Sequence, residues 1–296
     1  MGDKSKENAA EQPQEEAPKK KGGFFKRFIW FILILLIIWW FNNFTMKTTV
    51  GEITSDKIVN PIRIAVLSDY HADKFSINAD TVVSRIEKEE PDIVFILGDM
   101  YTRKSSEDKI EIAVELMADI AELGMPVYFV PGEHDKDSFY FDMLTEKGIK
   151  VMKYKTENIQ INENKLQIMG ITNAYYSPTF DLSTQFENDN ERYNIVLAHI
   201  PNYEKFADFG ADLTLCGDTH GGMMQLPFGK GPVYHNGNWF PELSEEVTEE
   251  VYDKGFFRYK GGWMFITSGL GNNPVPARLN NRPEIAIIEI KPAKAK

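Results

Sequence analysis

Nine side chains in five short runs carry the chemistry of this sequence. They are Asp69 and His71 in Ser68-Asp69-Tyr70-His71, Asp99 in Gly98-Asp99, Glu133, His134 and Asp135 after Gly132, the isolated His199, and Asp218 and His220 in Gly217-Asp218-Thr219-His220. Carboxylates and imidazoles are the side chains that hold divalent ions. Two such ions about 3.5–4 Å apart can clamp a phosphoryl group and carry a nucleophilic hydroxide between them. The set therefore predicts hydrolysis of a phosphate ester. An Asp placed after a strand can simply cap a turn, but that bland reading has to hold at five places at once.

The elements around these runs say how they come together. From Pro61 onward, short β-branched stretches alternate with amphipathic ones: strands are expected at 62–67, 93–97 and 127–130, with helices at 79–89 and 110–123. Further strands are expected at 165–169, 195–198, 213–216, 264–267 and 285–290, with fewer helices between them, so the class is α/β with a mixed sheet or two packed sheets. Each chemical run stands at the end of a predicted strand, and the carboxyl ends of strands line the crevice where α/β sheets bind ligands. Glycine beside an acidic residue lets the backbone turn sharply there.

The order of runs resembles that of the calcineurin-like metallophosphoesterases, D-x-H, G-D, G-N-H-D/E, H and G-H-x-H, over about residues 61–290. The stretch from Ser268-Gly269-Leu270-Gly271 through Ala277-Arg278-Leu279 to Arg282-Pro283-Glu284-Ile285 is also similar to the bacterial membrane-associated branch of YaeI-like and YkuE-like phosphodiesterases. The resemblance implies a sandwich of two mixed β-sheets flanked by helices. By motif position it implies that Asp69, His71 and His220 hold one metal, that Asp99 bridges both, and that Glu133, His199 and Asp218 hold the second. His134 would sit by the leaving group. The expected reaction is in-line attack of a metal-bridging hydroxide on a phosphodiester, with His134 assisting the departing oxygen and Asp135 orienting His134.

The sequence departs from that pattern at Glu133, where the family has Asn, and at Asp218, where it has His. Each change swaps a neutral ligand for an anion and takes the carboxylate shell from two negative charges to four. Two divalent ions, with Mn²⁺ first and Mg²⁺, Fe²⁺ or Zn²⁺ also compatible, are the expected cofactors; oxygen-rich shells suit Mn²⁺ and Mg²⁺ better than Zn²⁺. A pyrophosphatase acting on a lipid-linked or nucleotide-sugar diphosphate would use the same ligands. A membrane-tethered scaffold holding at most one ion is the non-catalytic alternative.

The remainder of the chain bears on place and partners. Residues 1–23 are polar and read as a disordered cytoplasmic tail, 24–44 as a transmembrane anchor, 45–60 as a linker and 61–292 as the catalytic domain. Lys19, Lys20, Lys21, Lys26 and Arg27 precede the apolar run and only Lys47 follows it closely, so the amino terminus is expected in the cytoplasm and the domain outside. A net charge of -11 argues against nucleic acid as a partner. The expected partners are a phosphate-ester substrate, lipid-linked or not, and the bilayer, with no obligate protein partner evident. The single Cys216 reads as a buried small hydrophobe and His235 as an ordinary loop residue. Met223, Met224, Phe228, Trp239 and Phe240 read either as a rim for an acyl chain or as core filling. Arg278 and Arg282 read as phosphate contacts or as partners of surface carboxylates.

Overall fold

The computed structural model describes residues 22–72, 75–135, 138–172, 180–235, 237–244, 250–273 and 276–293. The tail read at 1–23 falls almost wholly outside them. Two compact units divide at Ile38 and Trp39. Helix α1 (Gly22–Phe44) is apolar on every side from Phe28 to Phe41. Its stretch Gly23–Phe44 is long and apolar enough to cross a membrane.

The second unit takes in the last residues of α1 and everything after. Strand β1 (Lys47–Ser55) comes next and pairs in parallel with β14 (Glu284–Pro292) along its whole length, from Lys47 opposite Glu284 to Ser55 opposite Pro292. This replaces the linker read at 45–60. The strand KTTVGEITS is polar because it lies at a sheet edge and buries only Ile53 among its side chains, and that polarity hid it. Met46 and Ile58, on either side of it, are also core residues.

Strands β2 (Ile62–Leu67), β3 (Ile93–Ile96), β4 (Val127–Phe129) and β5 (Lys150–Val151) run parallel to one another and complete the first sheet in the order β1-β14-β2-β3-β4-β5. Crossover helices α2 (Ala79–Glu89), α3 (Glu107–Glu122) and α4 (Ser138–Glu146) cover one face of it. The Asn78 side chain caps α2 by accepting from the Thr81 amide. Helix α3 starts a turn before the expected position because Glu107 and Asp108 fill its first turn, where acidic groups suit the helix dipole.

The second sheet is built from β6 (Lys155–Ile161), β7 (Asn164–Gly170), β8 (Tyr193–Leu197), β9 (Leu213–Cys216), β12 (Gly255–Tyr259) and β13 (Gly262–Ile266), in the order β12-β13-β9-β8-β7-β6. A short hairpin, β10 (Tyr234–His235) with β11 (Asn238–Trp239), stands apart. Helix α5 (Tyr203–Phe209) lies on the outer face of the second sheet, whose layer includes the buried thiol of Cys216. The inner faces meet through Ile64, Val66, Phe95, Leu97, Ile195, Leu215, Phe265 and Ile288. The result is the expected two-sheet sandwich flanked by helices, with the parallel strands of both sheets ending at one edge.

Candidate metal centre

The site is made where β2, β3, β4, β8 and β9 end. The Asp69 amide donates to the Gly98 carbonyl, the His71 amide to Asp99 O and the Gly217 amide to His199 O, so the strand exits are stitched to one another. Asp69, His71, Asp99, Asp218 and His220 all have positive φ, between 49° and 68°. That conformation reverses each chain within one residue and turns the side chain back over the sheet edge. The approach is close enough to demand glycine at Gly132, where an added Cβ would sit 2.1 Å from Asp99 Oδ1.

Three groups of ligand-capable atoms lie within reach of a cation: Asp69, His71 and His220; Asp69, Asp99 and His199; and His71, Asp99 and His134. His71 Nε2 and His220 Nε2 face each other at 3.2 Å, and Asp69 Oδ1 is 3.7 Å from the second of them. His199 Nε2 is 3.2 Å from Asp99 Oδ2 and 3.6 Å from Asp218 Oδ1. His199 Nδ1 is 2.6 Å from the Leu97 carbonyl, so it carries the proton of the neutral ring and leaves the Nε2 lone pair for the site. Asp69 Oδ1 and His199 Nε2 are buried without a hydrogen-bond partner. Buried polar atoms are seldom left so, and the donor set fits divalent cations.

The electrostatics agree with that fit. Burial pushes the Asp69 carboxyl up to about 7, against the pull of His199. Burial opposes a charged His199, yet the Asp99 carboxylate, with Asp69 and Asp218 behind it, carries the imidazole up to about 10. Burial alone would raise Asp99, but His199 outweighs it and holds this carboxyl low. His71 is driven down to about 4, chiefly by burial, and His220 goes down for the same reason and because of His71. His71 and His220 thus offer neutral nitrogens, while a cation arriving beside Asp69 and His199 displaces protons.

Two of the expected roles change. Asp135 does not reach the His134 ring; its Oδ2 accepts from the Asp99 amide at 2.5 Å and the Gly132 amide at 2.9 Å, and so holds the backbone under the site. The His134 ring is held by the Arg103 amide, which donates to Nδ1 at 2.9 Å. The proton of the neutral ring then sits on Nε2, 3.7 Å from Asp99 Oδ2. Glu133 and Asp218 enter none of the three groups among the described residues; Asp218 still stands beside His199, whereas the half-exposed carboxylate of Glu133 is 3.8 Å from His134 Nε2.

Sequence reasoning missed Arg103, which acts through its backbone and leaves no signal, and Asn281, whose side chain donates to the carbonyls of His220 and Gly221 and fixes that turn. Arg278 is neither a phosphate contact nor a surface ion pair. It is buried, and its guanidinium donates to the carbonyls of Ser268, Gly269, Gly271 and Asn281, which lie behind Asp69. Arg282 donates to Thr45 and Met46 and stacks over Phe41. His235 lines a groove beside His220 rather than an open loop.

A family model described as calcineurin-like phosphoesterase matches residues 62–222, the span that holds every one of these ligand-capable residues. The chain belongs to the calcineurin-like phosphoesterases. It is 25% identical over 239 residues to the metallophosphoesterase YkuE of Bacillus subtilis, across 77% of this chain and 79% of that one. Identity to the phosphodiesterase YaeI of Escherichia coli is 26% over 240 residues, across 78% and 82%. A Danio rerio transmembrane protein with a metallophosphoesterase domain is 25% identical over 266 residues, across 82% of this chain and 56% of that protein. As a calcineurin-like phosphoesterase, the protein is a metal-dependent hydrolase of phosphate esters.

Proposed function

We propose that this calcineurin-like phosphoesterase is a membrane-anchored phosphodiesterase that works with two divalent ions, Mn²⁺ by preference. The observation that carries the reading is the sharing of Asp69 and Asp99 between adjacent buried groups of ligand atoms. Asp69, His71 and His220 would hold one ion, His199 and Asp218 the other, joined by Glu133 once its half-exposed carboxylate turns towards the site, and Asp99 both. Bound there, the ions would neutralise phosphoryl charge and acidify a water for in-line attack. His134, with its proton on Nε2, would donate to the leaving oxygen. The Arg103 amide would keep the ring in that tautomer, and Asp135 would keep Asp99 in place.

The charge of the ligands supports a diester. Asp69, Asp99, Glu133 and Asp218 together match the charge of two divalent ions, leaving little net attraction for a dianionic monoester over a monoanionic diester. The Escherichia coli relative YaeI, a phosphodiesterase, is in line with this. Metal analysis combined with rates on a matched diester and monoester tests the reading. Two ions per chain and a higher diester rate are expected. The double variant Glu133→Asn with Asp218→His, compared at saturating metal, should move both metal preference towards Zn²⁺ and the rate ratio towards the monoester. An unchanged ratio and preference would remove Glu133 and Asp218 from the ligand set.

The anchor follows from the apolar helix Gly23–Phe44 and the basic residues before Phe28, which favour a cytoplasmic amino terminus and an outward catalytic unit. Protease added to spheroplasts should digest the catalytic unit and spare the tail. Complete protection until the membrane is broken would reverse the orientation.

A further inference from the structure

A groove of about 730 Å³ opens directly off the candidate metal centre. Asp218 and His220 line it where it meets the candidate ligands, and Met224, Val233, Tyr234 and Trp239 line it together with the polar Thr219, His235 and Asn273. These apolar side chains do not fill the core: Trp239 is 66% exposed and Tyr234 48%. Trp239 meets Tyr234 edge to face at 5.2 Å, which makes a firm aromatic wall. Farther along the same excursion, Phe228 is 98% exposed and Leu243 58%. An apolar stretch of this kind facing water is unusual unless it meets something apolar.

What it meets is indicated by the loop beside it. Asn273 lines the groove, and its neighbour Asn272 donates to the Asn43 carbonyl at 2.8 Å. Pro276 O accepts from Trp39 Nε1 at 2.8 Å. Trp39 and Asn43 belong to the last turns of the apolar helix, where a tryptophan with a polar edge suits the headgroup level of a bilayer. Through Asn272 and Asn273 the groove is therefore joined to the end of that helix. Asp218 and His220 offer it the cation ligands that suit a phosphate, and its apolar side chains offer walls.

We propose that the groove takes an acyl chain of a membrane lipid whose phosphodiester faces Asp218 and His220, a substrate class that rests on the phosphodiesterase reading. The headgroup ester is cleaved beside Asp218 and His220 while the chain is gripped by Met224, Val233, Tyr234 and Trp239.

The test uses the full chain in lipid nanodiscs with Mn²⁺ and two monoanionic diesters with the same leaving group, 4-nitrophenyl dodecyl phosphate and 4-nitrophenyl ethyl phosphate. Partition into the bilayer is the same for every variant, so changes in the dodecyl-to-ethyl ratio of kcat/KM report the groove alone. The ratio should fall at least fivefold in Trp239→Ala and again in Met224→Gln. A second readout needs no turnover: with EDTA present, the fluorine signal of 5-fluorotryptophan at 239, assigned by its loss in Trp239→Phe, should shift with the dodecyl ester and stay in place with the ethyl ester. Ratios unchanged in both variants, or a signal at 239 that ignores the dodecyl ester, would overturn the groove. If neither ester is hydrolysed yet the signal shifts, the groove stands and the phosphodiesterase reading falls.

Discussion

Replacing Asp99 by Asn should abolish phosphoester turnover while leaving the fold and its thermal midpoint close to those of the parent. The side chain keeps its shape, and Oδ1 can still accept from the His134 amide at 2.9 Å. What changes is the charge beside His199 Nε2, 3.2 Å away, and the anionic ligand common to both proposed ions. Losing a group that merely supports a metal ligand costs about 10- to 100-fold in affinity or activity. Losing a shared ligand should cost more, so a fall beyond about a hundredfold is expected even at saturating Mn²⁺. Rates on a small diester, with circular dichroism melts as the control, decide it. A variant that retains the parent rate would end the two-ion mechanism.

The second large effect concerns where the folded unit begins. A chain starting at Pro61, the boundary suggested by sequence, should fail to fold cooperatively, whereas one starting at Trp39 should fold. The shorter chain loses β1 with its nine-residue pairing to β14, and with it the core side chains of Met46, Ile53 and Ile58. It also strands buried polar groups. Glu284 loses the Lys47 ammonium at 2.8 Å and the Thr49 hydroxyl at 2.7 Å, and the Arg278 amide loses Asn43 Oδ1 at 2.8 Å. Truncating one buried aliphatic side chain commonly costs about 2–5 kcal/mol, against a net stability of about 5–15 kcal/mol. Thermal melts of the two chains, the longer one in detergent, check this; a cooperative transition at the same midpoint in both would show β1 to be dispensable.

The runs that carry the candidate ligands were legible because each ends a β-branched strand with a ligand-capable side chain, with glycine beside it at Gly98, Gly132 and Gly217, and these are properties of neighbours in sequence. Helix α2 was legible to the residue for the same reason: Asn78 caps it, and Val82 and Ile86 mark its buried face. Strand β1 was not, because its partner β14 lies more than two hundred residues away and its exposed edge reads as polar linker. The true partners of Asp135 were equally hidden. An aspartate after a histidine suggests a side-chain pair, but the backbone amides of Asp99 and Gly132 are brought within its reach only by tertiary packing. The same holds for Arg278, whose charge suggests a surface or a ligand and whose actual partners are carbonyls of the turn behind Asp69.

The left-handed backbone at Asp69, His71, Asp99, Asp218 and His220 sets the mutational landscape of this protein. Each such residue sits about 1 kcal/mol or more above an ordinary conformation, so together they weigh against a sizeable part of the net stability of a domain. Glycine at any of them would relax the chain and delete a candidate ligand in the same step. Selection for thermal robustness alone should thus drift towards substitutions at these positions that abolish chemistry. Selection that keeps activity should instead collect its stabilising changes in the outer helices and at the β1 edge, far from the strand ends.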